Sequence, residues 1–162
     1  LLKAAVEDFA PTYLHRPVVL LVTESRRRLA YQDAAQLRRI HLEPDARIMP
    51  DLLLADVGAP DSELRLVFIE CVATGGAMSR ERVAALRTWL VDNGFSGIRA
   101  AFGTVFRDRS DQVFRRLVGD LEWGTFVWFA TEPRDLLVLL KTGTFEPREA
   151  LDGILERAGE AG

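Results

Sequence analysis

The sequence predicts an α/β fold, a mixed β-sheet flanked by helices, and two observations carry that prediction. Short apolar runs recur as PVVLLV (17–22), DLLLADV (51–57), LRLVFIECVA (64–73), GIRAAFGTVF (97–106) and TFVWFAT (125–131), each the length of a buried strand. Between them lie segments whose apolar residues follow helical spacing. Alternation of that kind is satisfied by a sheet with helices packed on it. A chain of 162 residues suits one domain and can bury roughly two thirds of its unfolded surface.

LLKAAVEDFA reads as a short helix stopped by Pro11, whose ring and missing N–H oppose continuation. PVVLLV is the first strand. TESRRRLAY then makes a polar turn with a short strand returning, and DAAQLRRIHL (33–42) has helical spacing with Asp33 as N-cap. Strands near 48–56 and 64–73 are joined by GAPDSE, a turn signal that makes an antiparallel hairpin the economical pairing. SRERVAALRTWLVDNG is the clearest helix: Ser79 caps it, Val83, Leu86, Leu90 and Val91 line its inner side with Trp89 nearby, and Gly94 ends it. A strand follows at GIRAAFGTVF. SDQVFRRLVGDL is a second helix capped by Ser110, with Val113, Phe114, Leu117, Val118 and Leu121 inward. TFVWFAT is another strand, DLLVLLK a further candidate, and EPREALDGILERAGEAG has the pattern of a frayed helix.

Composition narrows the function only slightly. Hydrophobic residues make up 48% and charged residues 28%, ordinary for a globular protein, and a net charge of -3 gives no bulk signal for nucleic acid. Lys3 and Lys141 are the only lysines, so arginine supplies nearly all positive charge. Arginine suits bidentate phosphate contacts, although a bias toward arginine codons gives the same composition. Cys71 is the sole cysteine, which excludes an internal disulfide, and its strand position predicts a buried thiol and a reducing compartment. With His15 and His41 as the only histidines, a cysteine–histidine zinc site cannot be assembled. No run of 18 apolar residues and no signal-peptide pattern occur, so the expected location is the cytoplasm. The chain begins with Leu rather than Met, which predicts a piece of a longer protein with an upstream domain.

Two acids stand out. Asp51 opens one apolar run, and Glu70 sits inside the next among Phe68, Ile69, Cys71 and Val72, where an apolar side chain would be cheaper. The predicted hairpin folds about residue 60 or 61 and brings both carboxylates to one rim of the sheet. Two carboxylates, a backbone carbonyl and water are a ligand set for Mg²⁺. A surface acid at one strand start and a salt-bridged acid at another strand's end produce the same pattern without metal.

MPDLLL, FIECVATGGAMSRER, AAFGTVFRDR and LEWGTFVWFATEPRDLLVL, in that order, resemble the BsuBI/PstI family of type II restriction endonucleases, and FAPTYLHRPVVLLV matches the segment leading into that family's catalytic domain. The likeness spans roughly residues 7–148. It implies a restriction-endonuclease-like PD-(D/E)XK core, with residues 1–150 as the nuclease domain, 151–162 as a tail and a helical domain preceding them. Asp51 matches the first acid and Glu70 the second, so the implied Mg²⁺ ligands are Asp51, Glu70 and the backbone carbonyl of Cys71. The usual lysine position falls on Val72, as in the family. Arg82, matching a family arginine, becomes the candidate for electrostatic support, because a guanidinium cannot act as a base near neutrality.

Implied partners are double-stranded DNA, a second copy in a homodimer matched to a palindromic site, and a cognate DNA methyltransferase. Candidate phosphate contacts are Arg26, Arg27 and Arg28, the only run of three like charges, together with Arg80, Arg107 and Arg109. Residues 99–116 hold five arginines against Asp108 and Asp111, a net of +3. Either cluster can equally be a solvated face. Glu24 is a further carboxylate from the early turn or an ordinary surface residue.

The family pattern is also broken in places. Its Asp-Thr reads Thr23-Glu24, its Ser-His-Gly reads Thr74-Gly75-Gly76, and the lysine before Arg82 reads Glu81. Gly124 and Phe126 stand where the late tryptophan motif carries acids, and Leu139-Leu140 replaces a His-rich end. Kept acids point to a Mg²⁺-dependent endonuclease. Lost polar residues point to a catalytically impaired relative that binds DNA or protein, and an unrelated α/β module with structural acids is the third reading.

Overall fold

Seven strands form one mixed sheet in the order β2-β1-β3-β4-β5-β6-β7. They are β1 (Pro17–Glu24), β2 (Arg28–Gln32), β3 (Leu52–Asp56), β4 (Arg65–Cys71), β5 (Arg99–Phe106), β6 (Phe126–Phe129) and β7 (Leu136–Val138). The computed structural model describes residues 1–24, 28–45, 47–58, 64–73 and 76–141, apart from the side chains of Glu24 and Arg28. The expected tail helix and the tip of the GAPDSE turn lie outside the described residues. Pairing is antiparallel for β1 with β2 and β3, for β3 with β4 and for β6 with β7. It is parallel for β4 with β5 and for β5 with β6. The predicted mixed sheet and the β3–β4 hairpin are both present.

Helices cover each face. On one side Leu21, Leu53, Ala55, Leu66, Phe68 and Phe102 meet Leu37 from the helix Ala34–Arg39 and Val83, Leu86, Trp89 and Leu90 from the helix Arg80–Asp92. On the other, Leu52, Leu54, Val67, Ile69, Val105 and Trp128 pack under Ala5, Phe9 and Ala10 of the N-terminal helix. Phe9 stacks on Phe126 at 5.2 Å and meets Trp128 edge-on at 5.7 Å. A third cluster joins Val72, Phe106, Leu121, Val127 and Phe129 to the short helix Gln112–Leu117.

Local chemistry sets the boundaries. Asp33 caps its helix by accepting from the N–H groups of Ala35 and Gln36, as the sequence predicts. Gly94, at φ 83°, closes the long helix: its N–H reaches Val91 O, and Phe95 N–H reaches Leu90 O at 2.8 Å. Those two bonds make a Schellman motif.

Five expectations are corrected. The first helix does not stop at Pro11 but runs on through Ala10–Tyr13, because the π-helical Ala5–Phe9 before it widens the turn the proline ring would otherwise strike. Val91 is 58% exposed, since it lies about 100° around the helix from Leu90 and leaves the buried stripe. Asp111, not Ser110, caps the Gln112 helix through Val113 N–H, while the Ser110 hydroxyl bonds Asp108; that helix ends at Leu117, leaving Val118 exposed. The strand expected from residue 48 begins at Leu52, because Ile48 and Met49 donate back to Asp45 O in a turn and Pro50 has no N–H for a ladder.

Candidate active site

The β3–β4 register pairs Leu52 with Ile69 and Leu53 with Phe68. One step further sets Asp51 opposite Glu70, and directly opposed residues of an antiparallel pair project to the same face. That face is the one covered by the helix Arg80–Asp92, whose capping residue Ser79 accepts from Arg82 N–H. Arg82 in the first turn is thereby aimed at the acids.

The contacts explain why a carboxylate is tolerated in an apolar strand. Arg82 Nε donates to Glu70 Oε1 at 2.6 Å, and the two side chains are only 15% and 10% exposed. Arg82 Nη2 donates to Met49 O at 2.9 Å. The Asp51 carboxylate accepts from Cys71 N–H through Oδ2 at 2.8 Å. Burial pushes the Glu70 carboxyl up and the Asp51 charge adds to it, while Arg82 and the Asp51 N–H pull it down; the outcome is a pKa of about 7. Burial, reinforced by Asp51, likewise pushes the Cys71 thiol up to about 12. The thiol is partly rather than fully buried and remains protonated near neutrality.

Could these residues take a divalent cation? Among the described residues no group of three or more His, Cys, Asp or Glu side chains gathers. The donor set on offer is therefore two carboxylates and backbone carbonyls, all hard oxygens, and Mg²⁺ commonly takes one or two protein carboxylates and keeps its waters. Two acids opposed on one face, with Glu70 lifted toward neutral pH chiefly by burial and further by the Asp51 charge, share among the described residues a single paired cation, Arg82. That fits a cation. Val72, at the usual lysine position, is buried at 3% and supplies none.

The candidate phosphate contacts divide by position. Arg107 and Arg109 are exposed just beyond the end of β5, level with the end of β4 where Glu70 and Cys71 lie, and Arg80 is exposed at the start of its helix. Arg109 is engaged with Glu132 at 2.9 Å. Arg28 begins β2 beside the end of β1, its side chain undescribed, and Arg26 and Arg27 lie outside the described residues.

Sequence reasoning missed Thr23. It is buried, its N–H donates to Asp51 O at 2.9 Å, and its hydroxyl donates to Pro50 O at 3.0 Å. The available signal was a hydroxyl residue ending the apolar run 17–22.

A mixed sheet with paired acids on its central hairpin is the architecture of the restriction-endonuclease-like α/β fold. Comparison with solved structures agrees: the SdaI restriction endonuclease superimposes with a TM-score of 0.71 at 26% identity, over 90% of this chain and 44% of that one. The chain belongs to the BsuBI/PstI restriction endonuclease domain family, whose profile matches residues 1–142. The type II restriction enzyme BsuBI of Bacillus subtilis is 28% identical over 138 residues, 85% of this chain and 41% of that protein. The chain thus spans less than half the length of either relative.

Proposed function

We propose that this chain is the nuclease domain of a type II restriction endonuclease, hydrolysing phosphodiester bonds at a specific site in double-stranded DNA with Mg²⁺. The observation that carries the reading is the placement of Asp51 opposite Glu70 on the face that Arg82 reaches. The core then corresponds to a PD-(D/E)XK nuclease, with residues 1–150 as the catalytic unit and the helical domain expected upstream lending DNA affinity.

Asp51, Glu70 and the Cys71 carbonyl would hold the ion. Bound there, Mg²⁺ supplies a lowered water pKa and charge neutralisation at the phosphate. The chain's own residues do the rest. Cys71 N–H orients Asp51, and Arg82 fixes Glu70 and keeps a permanent positive charge beside the acids. Arg80, Arg107 and Arg109 line the rim where a backbone phosphate would approach, and Arg26, Arg27 and Arg28 are further candidate phosphate contacts. The full-length protein is expected to work as a homodimer in the cytoplasm, alongside a methyltransferase that protects the same site.

A second reading, an impaired relative that binds DNA or protein without cutting, is favoured by the lost family residues, among them Glu81 in place of a lysine before Arg82. Supercoiled plasmid incubated with Mg²⁺ separates the two. Cleavage by the wild type that disappears in Glu70→Ala supports the nuclease. Salt-dependent DNA binding with no cleavage by either protein supports the second reading.

A further inference from the structure

We propose that Thr23 is a positioning residue for the first acid, holding Asp51 where a cation can be shared with Glu70. The inference rests on the reading of these acids as a cation pair. Three consecutive carbonyls lead into β3, and each has its own donor: Met49 O takes Arg82 Nη2, Pro50 O takes the Thr23 hydroxyl, and Asp51 O takes Thr23 N–H. Two of the three come from one residue. The carboxylate on this segment is then aimed by Cys71 N–H. No peptide group between Met49 and β3 is left to swing.

The geometry exists because β1 is irregular. Val19 pairs with Leu54 but Leu21 pairs with Leu53, so β1 carries one extra residue there. Without that bulge the register would set Val22 opposite Asp51. With it, Val22 pairs with Leu52 and Thr23 falls opposite Asp51. Bulges beside active sites re-aim a side chain in this way. Thr23 is 4% exposed and Pro50 is buried, so water cannot replace the hydroxyl.

The test measures Mn²⁺ binding to the 162-residue chain by the electron paramagnetic resonance signal of the free ion. Wild type, Thr23→Val, Thr23→Ser, Asp51→Ala and the core variant Phe129→Ala, in the separate cluster on β6, are compared, with circular dichroism melting as the check on fold. Thr23→Val keeps the shape and loses the donor, so Mn²⁺ affinity is expected to fall about 10- to 100-fold, as for other partners behind a metal ligand. Thr23→Ser should restore most of it, and Phe129→Ala should lower melting without lowering affinity. Should Thr23→Val not fold, Thr23→Ala gives the same contrast with Thr23→Ser. Wild-type affinity in a folded Thr23→Val or Thr23→Ala, with binding lost in Asp51→Ala, overturns the role of Thr23 and leaves the cation pair standing. Wild-type affinity in Asp51→Ala overturns the cation pair itself, and the inference with it.

Discussion

The guanidinium of Arg82 lies 2.6 Å from the Glu70 carboxylate, and the pair is almost withdrawn from water. Removing one partner of a buried pair leaves the other uncompensated, a larger loss than the pair's net worth. Arg82→Met is therefore expected to destabilise the metal-free chain by about 2 kcal/mol or more at pH 8. The loss should shrink at pH 5, where a Glu70 with a pKa of about 7 is already neutral. Urea unfolding at the two pH values checks both statements.

Glu70 itself should titrate near neutrality in the metal-free chain, with a midpoint of about 7 in a carboxyl ¹³C NMR titration. Asp51 raises it, so Asp51→Asn should move the midpoint down. Because the folded pKa lies above the ordinary value of 4.5, the folded state holds the proton more tightly between pH 4.5 and about 7. Glu70 thus makes stability fall as pH rises across that window.

Asp56 behaves in the opposite sense. Burial raises its pKa, but the N–H groups of Arg16, His15 and Gly58 and the His15 ring outweigh that and bring it to about 2. Its contribution is present above the ordinary 3.8 and disappears as pH falls through 2. Asp56→Asn is expected to cost about 2 kcal/mol at pH 7 and almost nothing at pH 2, read from thermal melting across that range.

Gly103 on β5 packs its backbone against the Phe126 ring, and a Cβ there would overlap ring atoms. The ring is stacked on Phe9 and cannot retreat freely. Gly103→Ala should lower stability by about 1–3 kcal/mol. Adding Phe126→Leu should recover part of that loss, a coupling that a double-mutant cycle in urea measures.

On DNA, Arg80→Ala and Arg107→Ala should each weaken binding similarly for all sequences and reduce the salt slope by about one. Glu132→Gln frees Arg109 from its 2.9 Å partner and should tighten binding at low salt. Fluorescence anisotropy at several salt concentrations distinguishes these outcomes.

The hairpin and its acids were legible because apolar runs and a turn signal fix antiparallel pairing, and equal spacing from the turn fixes which residues oppose. The helix Arg80–Asp92 was legible through its cap and its closing glycine. Thr23 was not, because its role depends on a bulge that shifts β1 by one residue, and nothing in PVVLLVTE marks that extra residue. Pro11 misled because nothing in LLKAAVEDFA marks the π-helical turn that admits it. The ion pair of Glu70 with Arg82 could be suspected from the cost of burying a charge, but the additional reach of Arg82 to the Met49 carbonyl is a tertiary fact.

The most direct measurement is a crystal structure of the chain grown with Mn²⁺, with anomalous scattering locating the ion. The account predicts one peak about 2.2 Å from a carboxylate oxygen of Asp51 and from one of Glu70. An ion bound by one of these acids alone, or bound elsewhere while both acids keep only their protein partners, would contradict it.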